Sequence, residues 1–328
     1  MTTSILLLLL GFALLVGGGE LLVRGASRLA EEMGLSPMLV GLVIVGMGTS
    51  TPELAASVQA ALAGSPGIAL GNIVGSNLAN TLLILGAAAL ISPIAVRGSV
   101  LWRDGMVGLA GVVVLLLAGN SIGLDRVAGT GMLLALTAYI VFAYHQERTG
   151  HQLQAASQRT AAAEHADPGL HDHPRPDRKG LVKSVAFFLV GIVLIVAGGT
   201  VLVDGAIEIA SALGVSDTVI GLTIVAAGTS APELATTVIA ALRKESDIAL
   251  GNVLGSNIYN IFFIGGVTGL VAPGPIPNSI LTGDLYILLL AAIAAIVFSW
   301  TGGRLGRREG GLLLAAYVGF LAYTVSAI

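Results

Sequence analysis

Residues 48–80 read GTSTPELAASVQAALAGSPGIALGNIVGSNLAN, and residues 228–260 read GTSAPELATTVIAALRKESDIALGNVLGSNIYN. The two stretches stand 180 residues apart without a gap and share 20 of 33 positions. A weaker match runs upstream, where GGGELLVRGA from Gly17 aligns with AGGTVLVDGA from Ala197. The chain therefore reads as two copies of one unit.

The surroundings of the motif say where that unit sits. The chain has 328 residues, 55% hydrophobic and 11% charged, against about 25% charged residues in an ordinary soluble domain. From Gly34 to Val96 the only charged side chain is Glu53. Spanning a bilayer takes about 20 mostly apolar residues per helix. Ten such runs are present: 4–27, 35–63, 68–94, 100–119, 125–144, 182–210, 216–242, 247–272, 280–299 and 309–327. The expectation is an all-α integral membrane protein of ten transmembrane helices. Residues 146–180 form the one hydrophilic stretch, rich in His, Asp, Arg and Pro, and read as a solvated linker. Three units follow: 1–145, a cytoplasmic linker 146–180, and 181–328.

Lys and Arg favour the cytoplasmic side of a membrane protein. With the N-terminus outside and ten alternating spans, fifteen of the sixteen Lys and Arg fall on that side and only Arg126 falls outside. Both termini are then external, in a multi-pass protein of the inner (plasma) membrane. The first run resembles a secretion signal but lacks a basic start, and a cleaved leader would have no twin in mid-chain. Because each half holds five spans, an odd number, the halves enter the membrane in opposite senses. Inverted repeats of this kind are characteristic of secondary transporters, with ion sites near the midplane at the repeat interface.

Several functions are excluded or disfavoured. With no cysteine, thiolate catalysis, disulfides and thiolate metal centres are out. No G-x-x-x-x-G-K-[ST] loop is present to bind ATP. A net charge of −3 does not suit nucleic acid. An intramembrane enzyme would need a nucleophile or an acid–base dyad, and all five histidines lie between His145 and His173, outside the apolar runs. The reading is a transporter with no cofactor, whose partners are its ions and the bilayer, with no obligate protein partner evident.

The motif itself carries oxygen chemistry. On a helix Thr49, Ser50 and Glu53 share a face. Pro52 removes a backbone donor and should break the span near Gly48, freeing carbonyls. Such backbone is tolerated in a membrane only where it is buried in protein or lines a wet cavity. In the next span Ser76 and Asn80 are four apart on one face. The second copy supplies Thr229, Ser230, Glu233, Ser256 and Asn260. Superposing inverted copies brings two carboxylates and two carboxamides together, a hard oxygen set suited to Na⁺ or Ca²⁺. Two carboxylates neutralise one Ca²⁺, and without a cation or proton they are costly at the bilayer centre. Asn72, Asn77, Asn252 and Asn257 read as interhelical hydrogen-bonding residues, and Gly71, Gly75, Gly251 and Gly255 as packing positions. Glu20 and Arg24 read as an interfacial pair. Asp204, Glu208 and Asp217, near the outer face, read either as cation-attracting charges or as solvated loop ends.

The paired GTS-x-PE and GN-x-x-GSN-x-x-N motifs resemble the α-repeats of the cation/Ca²⁺ exchanger superfamily, specifically the prokaryotic Na⁺/Ca²⁺ exchangers. The resemblance covers nearly the whole chain. It implies a secondary antiporter exchanging Na⁺ for Ca²⁺ by alternating access, with spans one and six sliding over a fixed bundle. It implies ligands at Thr49, Ser50, Glu53, Ser76, Asn80, Thr229, Ser230 and Glu233, together with carbonyls at Gly46 and Ala226. The second pair is Ser256 and Asn260, where the family often has Asp four residues after the Ser. Asp at that position goes with K⁺ co-transport, so Asn260 argues against a K⁺ requirement. A Ca²⁺/H⁺ antiporter on the same scaffold is the alternative, and the many hydroxyls and carbonyls favour Na⁺.

Overall fold

A computed structural model of the chain describes residues 2–121, 123–164, 178–213, 226–278 and 280–326. The described residues are helical apart from turns and short extended contacts between loops. Among the described residues seven helices are long and apolar enough to cross a membrane, or eight if one bent pair counts as a span. In chain order α1 is Thr2–Met33, α2 Pro37–Thr49, α3 Thr51–Leu62, α4 Gly67–Ile91 and α5 Gly98–Asn120. Next come α6 Arg126–Glu164, α7 Arg178–Ala212, a short α8 Ala226–Thr229 and α9 Ala231–Leu242. The last three are α10 Ser246–Val271, α11 Ile280–Trp300 and α12 Arg307–Ser326. Much of the expected seventh span and the His-rich stretch from His165 onward lie outside the described residues, as does Asp217. The helix α6 runs on to Glu164, well into the stretch read as a linker. Its composition explains this, because the sequence from Gln152 to Glu164 is dominated by Ala and Gln, strong helix formers.

Helices α1 and α7, equivalent by the 180-residue offset, pack against each other along their length. A Cβ placed on Gly11 would lie 2.6 Å from the Leu202 nitrogen, on Gly18 2.8 Å from that of Ile195, and on Gly25 2.6 Å from that of Phe188. Positions 11, 18 and 25 thus meet 202, 195 and 188. The first series rises by seven as the second falls by seven, so the two helices run antiparallel. Small residues are what permit backbones to approach this closely in a membrane, where no hydrophobic force drives helices together. The neighbouring glycines face elsewhere: Gly19 looks onto Ile239 and Gly199 onto Pro232, both on α9.

The remaining helices share a core that includes Leu70, Ile73, Leu78, Ile258, Ile261 and Leu288. A second buried cluster lies at the seam where α1 and α7 meet the bundle, with Leu22, Val23, Phe188 and Ile195 against Val40, Val45, Ile239 and Ile248. Loop contacts join segments expected on the same face. Ile94–Ala95 pairs antiparallel with Arg304–Leu305, Arg97 bonds Asp247, and Arg243 bonds Glu20. On the other face Leu124 bridges to Gly274. Arg126, the one basic residue expected there, donates to the Leu270 carbonyl.

Candidate ion site

The break in the first motif falls at Ser50, two residues after the expected Gly48. Helices α2 and α3 meet there at 44°. Ser50 has φ −81° and ψ 8°, and its counterpart Ser230 has φ −88° and ψ 7°. Both lie in the sparsely populated bridge region, where active-site residues are often found. Pro52 and Pro232 occupy the first turn of the helices that follow. A proline is tolerated there because the first N–H groups of a helix have no intrahelical partner anyway. Glu53 and Glu233 sit in the same first turns, where the positive end of the helix dipole favours a carboxylate.

A serine at this position, three before a glutamate, ordinarily caps its own helix. Neither serine does so. Ser50 Oγ instead donates to Glu233 Oε1 at 3.1 Å, and Ser230 Oγ donates to Glu53 Oε1 at 3.3 Å. Each half thereby holds the carboxylate of the other half. The symmetry continues around the glutamates, although here each asparagine holds the glutamate of its own half. Asn72 Nδ2 donates to the Glu53 carbonyl at 3.2 Å and to Ser57 Oγ at 2.9 Å. Asn252 Nδ2 donates to the Glu233 carbonyl at 3.4 Å and to Thr237 Oγ1 at 2.9 Å.

Thr49 Oγ1 lies 3.1 Å from Asn252 Oδ1 and 3.4 Å from Ser256 Oγ, and Ser256 Oγ donates to the Gly46 carbonyl at 3.4 Å. The Gly46 carbonyl is not left free by the break, since it also accepts the Ser50 N–H at 3.1 Å. A carbonyl has a second lone pair for a further partner. Ser76 and Asn80 are buried one turn apart on α4. Thr229 is half-buried and lines a cavity of about 160 Å³ beside α7. The backbone of Ala226 begins α8.

Ten buried side-chain atoms lack a hydrogen bond among the described residues. Six belong to four residues of the duplicated motifs, namely Glu53 Oε2, Glu233 Oε2 and both polar atoms of the Asn80 and Asn260 side chains; the others are on Glu32, Thr236, Asn257 and Thr268. Glu53 and Asn80 are 1% exposed, and Glu233 and Asn260 are 0% exposed. Buried polar atoms are nearly always satisfied, so a group of exceptions calls for an explanation. The third buried carboxylate, Asp104, shows that this fold can satisfy one. Its Oδ2 accepts Arg103 Nη2 at 2.9 Å, and its Oδ1 accepts the Tyr139 hydroxyl at 2.7 Å. Both asparagines sit in π-helical turns, Ala79–Ile84 and Tyr259–Ile264, again 180 residues apart. Such turns occur frequently at functional sites, and three more stand among the described residues at Gly41–Val45, Leu101–Gly105 and Ile280–Asp284. The helix that carries Glu53 packs against the turn of Asn260, and the helix that carries Glu233 packs against the turn of Asn80.

Comparison with known proteins matches each half of the chain to one family. Residues 3–146 and, separately, 183–326 match the family described as sodium/calcium exchanger protein. The chain belongs to the sodium/calcium exchanger family. The exchanger is 37% identical over 329 residues to the putative antiporter CaxA of Alkalimonas amylolytica, covering 98% of each chain. It is 35% identical over 345 residues to the sodium/calcium exchanger MaX1 of Methanosarcina acetivorans, again covering 98% of each. Among solved structures it superposes on the sodium-calcium exchanger NCX_Mj with a TM-score of 0.82 and 30% identity over 97% of each chain. The exchanger is therefore an all-α, multi-pass membrane protein of a transporter family.

The site contains two features that the sequence reading placed in a lesser role. Asn72 and Asn252 were expected only to join helices, yet each carboxamide grips the backbone of a central glutamate, and Asn252 also reaches Thr49. Their positions one residue after Gly71 and Gly251, inside the duplicated motif, were the available signal. Asn77 does not join helices as expected. It donates to the Ile73 carbonyl of its own helix, while Asn257 reaches across to Thr81.

Proposed function

We propose that this exchanger is a Na⁺/Ca²⁺ antiporter of ten spans in two inverted repeats, embedded in the inner membrane with both termini outside. The ions bind between Glu53, Glu233, Asn80 and Asn260, and the flanking oxygens of Thr49, Ser50, Ser76, Thr229, Ser230, Ser256, Gly46 and Ala226 complete the sites. The observation that supports this is the set of buried atoms without partners among the described residues, which includes a carboxylate oxygen of each glutamate and both Asn80 and Asn260 carboxamides, on segments of the two repeats that pack against each other. Two carboxylates match the charge of one Ca²⁺, and hard oxygens match its coordination preference. The same oxygens, with the hydroxyls around them, divide naturally between Na⁺ ions when Ca²⁺ leaves. The family membership and the antiparallel knitting of α1 to α7 support a mechanism in which that pair slides as one body across the bundle. An empty site leaves two buried charges uncompensated, which favours exchange over leak.

The test is Ca²⁺ uptake into vesicles holding the purified protein, with Na⁺, K⁺ and pH varied separately. An outward Na⁺ gradient at fixed pH drives uptake, and replacing external K⁺ by choline leaves the rate unchanged. Uptake that needs only a pH gradient points instead to Ca²⁺/H⁺ exchange. A K⁺ requirement would contradict the role given to Asn260.

A further inference from the structure

The 180-residue symmetry extends to the two mouths of the seam between the sliding pair and the bundle, and there the sequence breaks it. On α1, Glu20 and Arg24 stand one turn apart. Arg24 Nη2 is 2.6 Å from Glu20 Oε1, and Arg243, at the end of α9, bonds the same carboxylate. The cluster carries two positive charges and one negative. Adding 180 to Glu20 and Arg24 gives Thr200 and Asp204 on α7, and subtracting 180 from Arg243 gives Ala63. The opposite mouth therefore has one negative charge and no positive one at the equivalent positions.

A cavity lies at that mouth. The cavity of about 160 Å³ is lined by Pro52, Thr200, Asp204, Thr229 and Pro232, among others. It runs from Asp204 past Thr200, one turn along α7, to Thr229 and the two prolines of the broken helices. A volume of that size holds several waters, enough for a cation that is still partly hydrated. Asp204 has no hydrogen-bond or ion-pair partner among the described residues, whereas Glu208, one turn further on, is held by Ser4 Oγ at 2.8 Å and does not line the cavity.

We infer that Asp204, with Thr200 below it, forms a capture subsite for the divalent cation at the external mouth, from which the ion passes to Thr229 and the central carboxylates. The inference rests on the reading of the central site as a Ca²⁺ site. Asp204 is exposed at the rim of the cavity, and a carboxylate at the entrance to a low-dielectric cleft concentrates counter-ions and raises their rate of entry. The ion cluster of Glu20, Arg24 and Arg243 gives the other mouth no such attraction, so capture is one-sided.

The experiment is ⁴⁵Ca²⁺/Ca²⁺ self-exchange, in right-side-out and inside-out vesicles, for the wild type, Asp204→Asn and Glu208→Gln. Self-exchange needs no Na⁺ or proton gradient, so an error about the coupling ion leaves the test intact. Asp204→Asn is expected to raise the half-saturating external Ca²⁺ about threefold to tenfold at low ionic strength, in line with the steering of ions by charged clefts. The effect should shrink to under about twofold at high salt, where the Debye length is only a few ångströms. The maximal rate, and half-saturation from the other face, stay at the wild-type value. Glu208→Gln behaves as wild type. If the Asp204→Asn and wild-type curves coincide while the wild type is active, the capture subsite is wrong and the central site stands. Equal effects of the two variants, or of Asp204→Asn on both faces, also overturn it, since they indicate diffuse surface charge. A wild type without Ca²⁺ self-exchange overturns both readings.

Discussion

Glu233→Gln is expected to lower Ca²⁺ transport by about 10²- to 4 × 10³-fold while the protein still inserts and purifies as a folded species, and Glu53→Gln should do the same. The carboxamide keeps the size of the side chain and still accepts the serine hydroxyl from the other repeat. What it removes is one of two negative charges facing the ion. Leaving a buried charge without its partner costs roughly 3–5 kcal/mol, and each 1.4 kcal/mol is tenfold in an equilibrium, which gives the expected range. Because each Oε1 is held by a serine of the opposite half, at 3.1 Å for Glu233 and 3.3 Å for Glu53, the two variants should be equivalent within a fewfold. Vesicle uptake measures the loss, and size-exclusion elution in detergent checks the fold. Normal uptake by either variant would remove that glutamate from the site.

The second large effect is steric. Gly255 lies on α10 one residue before Ser256, where that helix crosses α2. A Cβ at Gly255 would lie 2.2 Å from the Leu42 carbonyl oxygen, and one at Gly251 would lie 2.5 Å from that of Met38. These neighbours are backbone atoms, so the helices must separate to admit a methyl group. Separation pulls Ser256 from the Gly46 carbonyl and from Thr49. Gly255→Ala should cut uptake at least about tenfold and lower thermal stability in detergent, consistent with the 1–3 kcal/mol or more typical of overpacking. Gly108→Ala is the control, because nothing lies within 4 Å of a Cβ there and alanine is about 1 kcal/mol better than glycine inside a helix. It should transport normally.

The repeat made much of this legible. A gapless offset of 180 residues equates Glu53 with Glu233 and Asn80 with Asn260, and all four carry buried atoms without hydrogen bonds among the described residues. The hydroxyls were legible as a face, but their partners were not. Ser50 pairs with Glu233 across 183 residues, and local periodicity carries no information about contacts at that range. The S-x-x-E spacing even points the wrong way, toward a serine that caps its own helix. Nor does composition reveal the π-helical turns around Asn80 and Asn260, because NLANTLLI and NIYNIFFI read as largely apolar helix sequence. The break came two residues late because Pro52 is placed best inside the first turn of the new helix, with Ser50 as the hinge. Helix α6 outlasted its apolar run because Ala and Gln sustain a helix whether or not they face lipid.

The most direct measurement is equilibrium ⁴⁵Ca²⁺ binding to the purified protein in detergent, titrated with Na⁺. The account predicts about one Ca²⁺ per chain, as two carboxylates allow, displaced by Na⁺ and abolished by Glu233→Gln. Ca²⁺ binding that survives in Glu233→Gln with unchanged stoichiometry and Na⁺ sensitivity would contradict it.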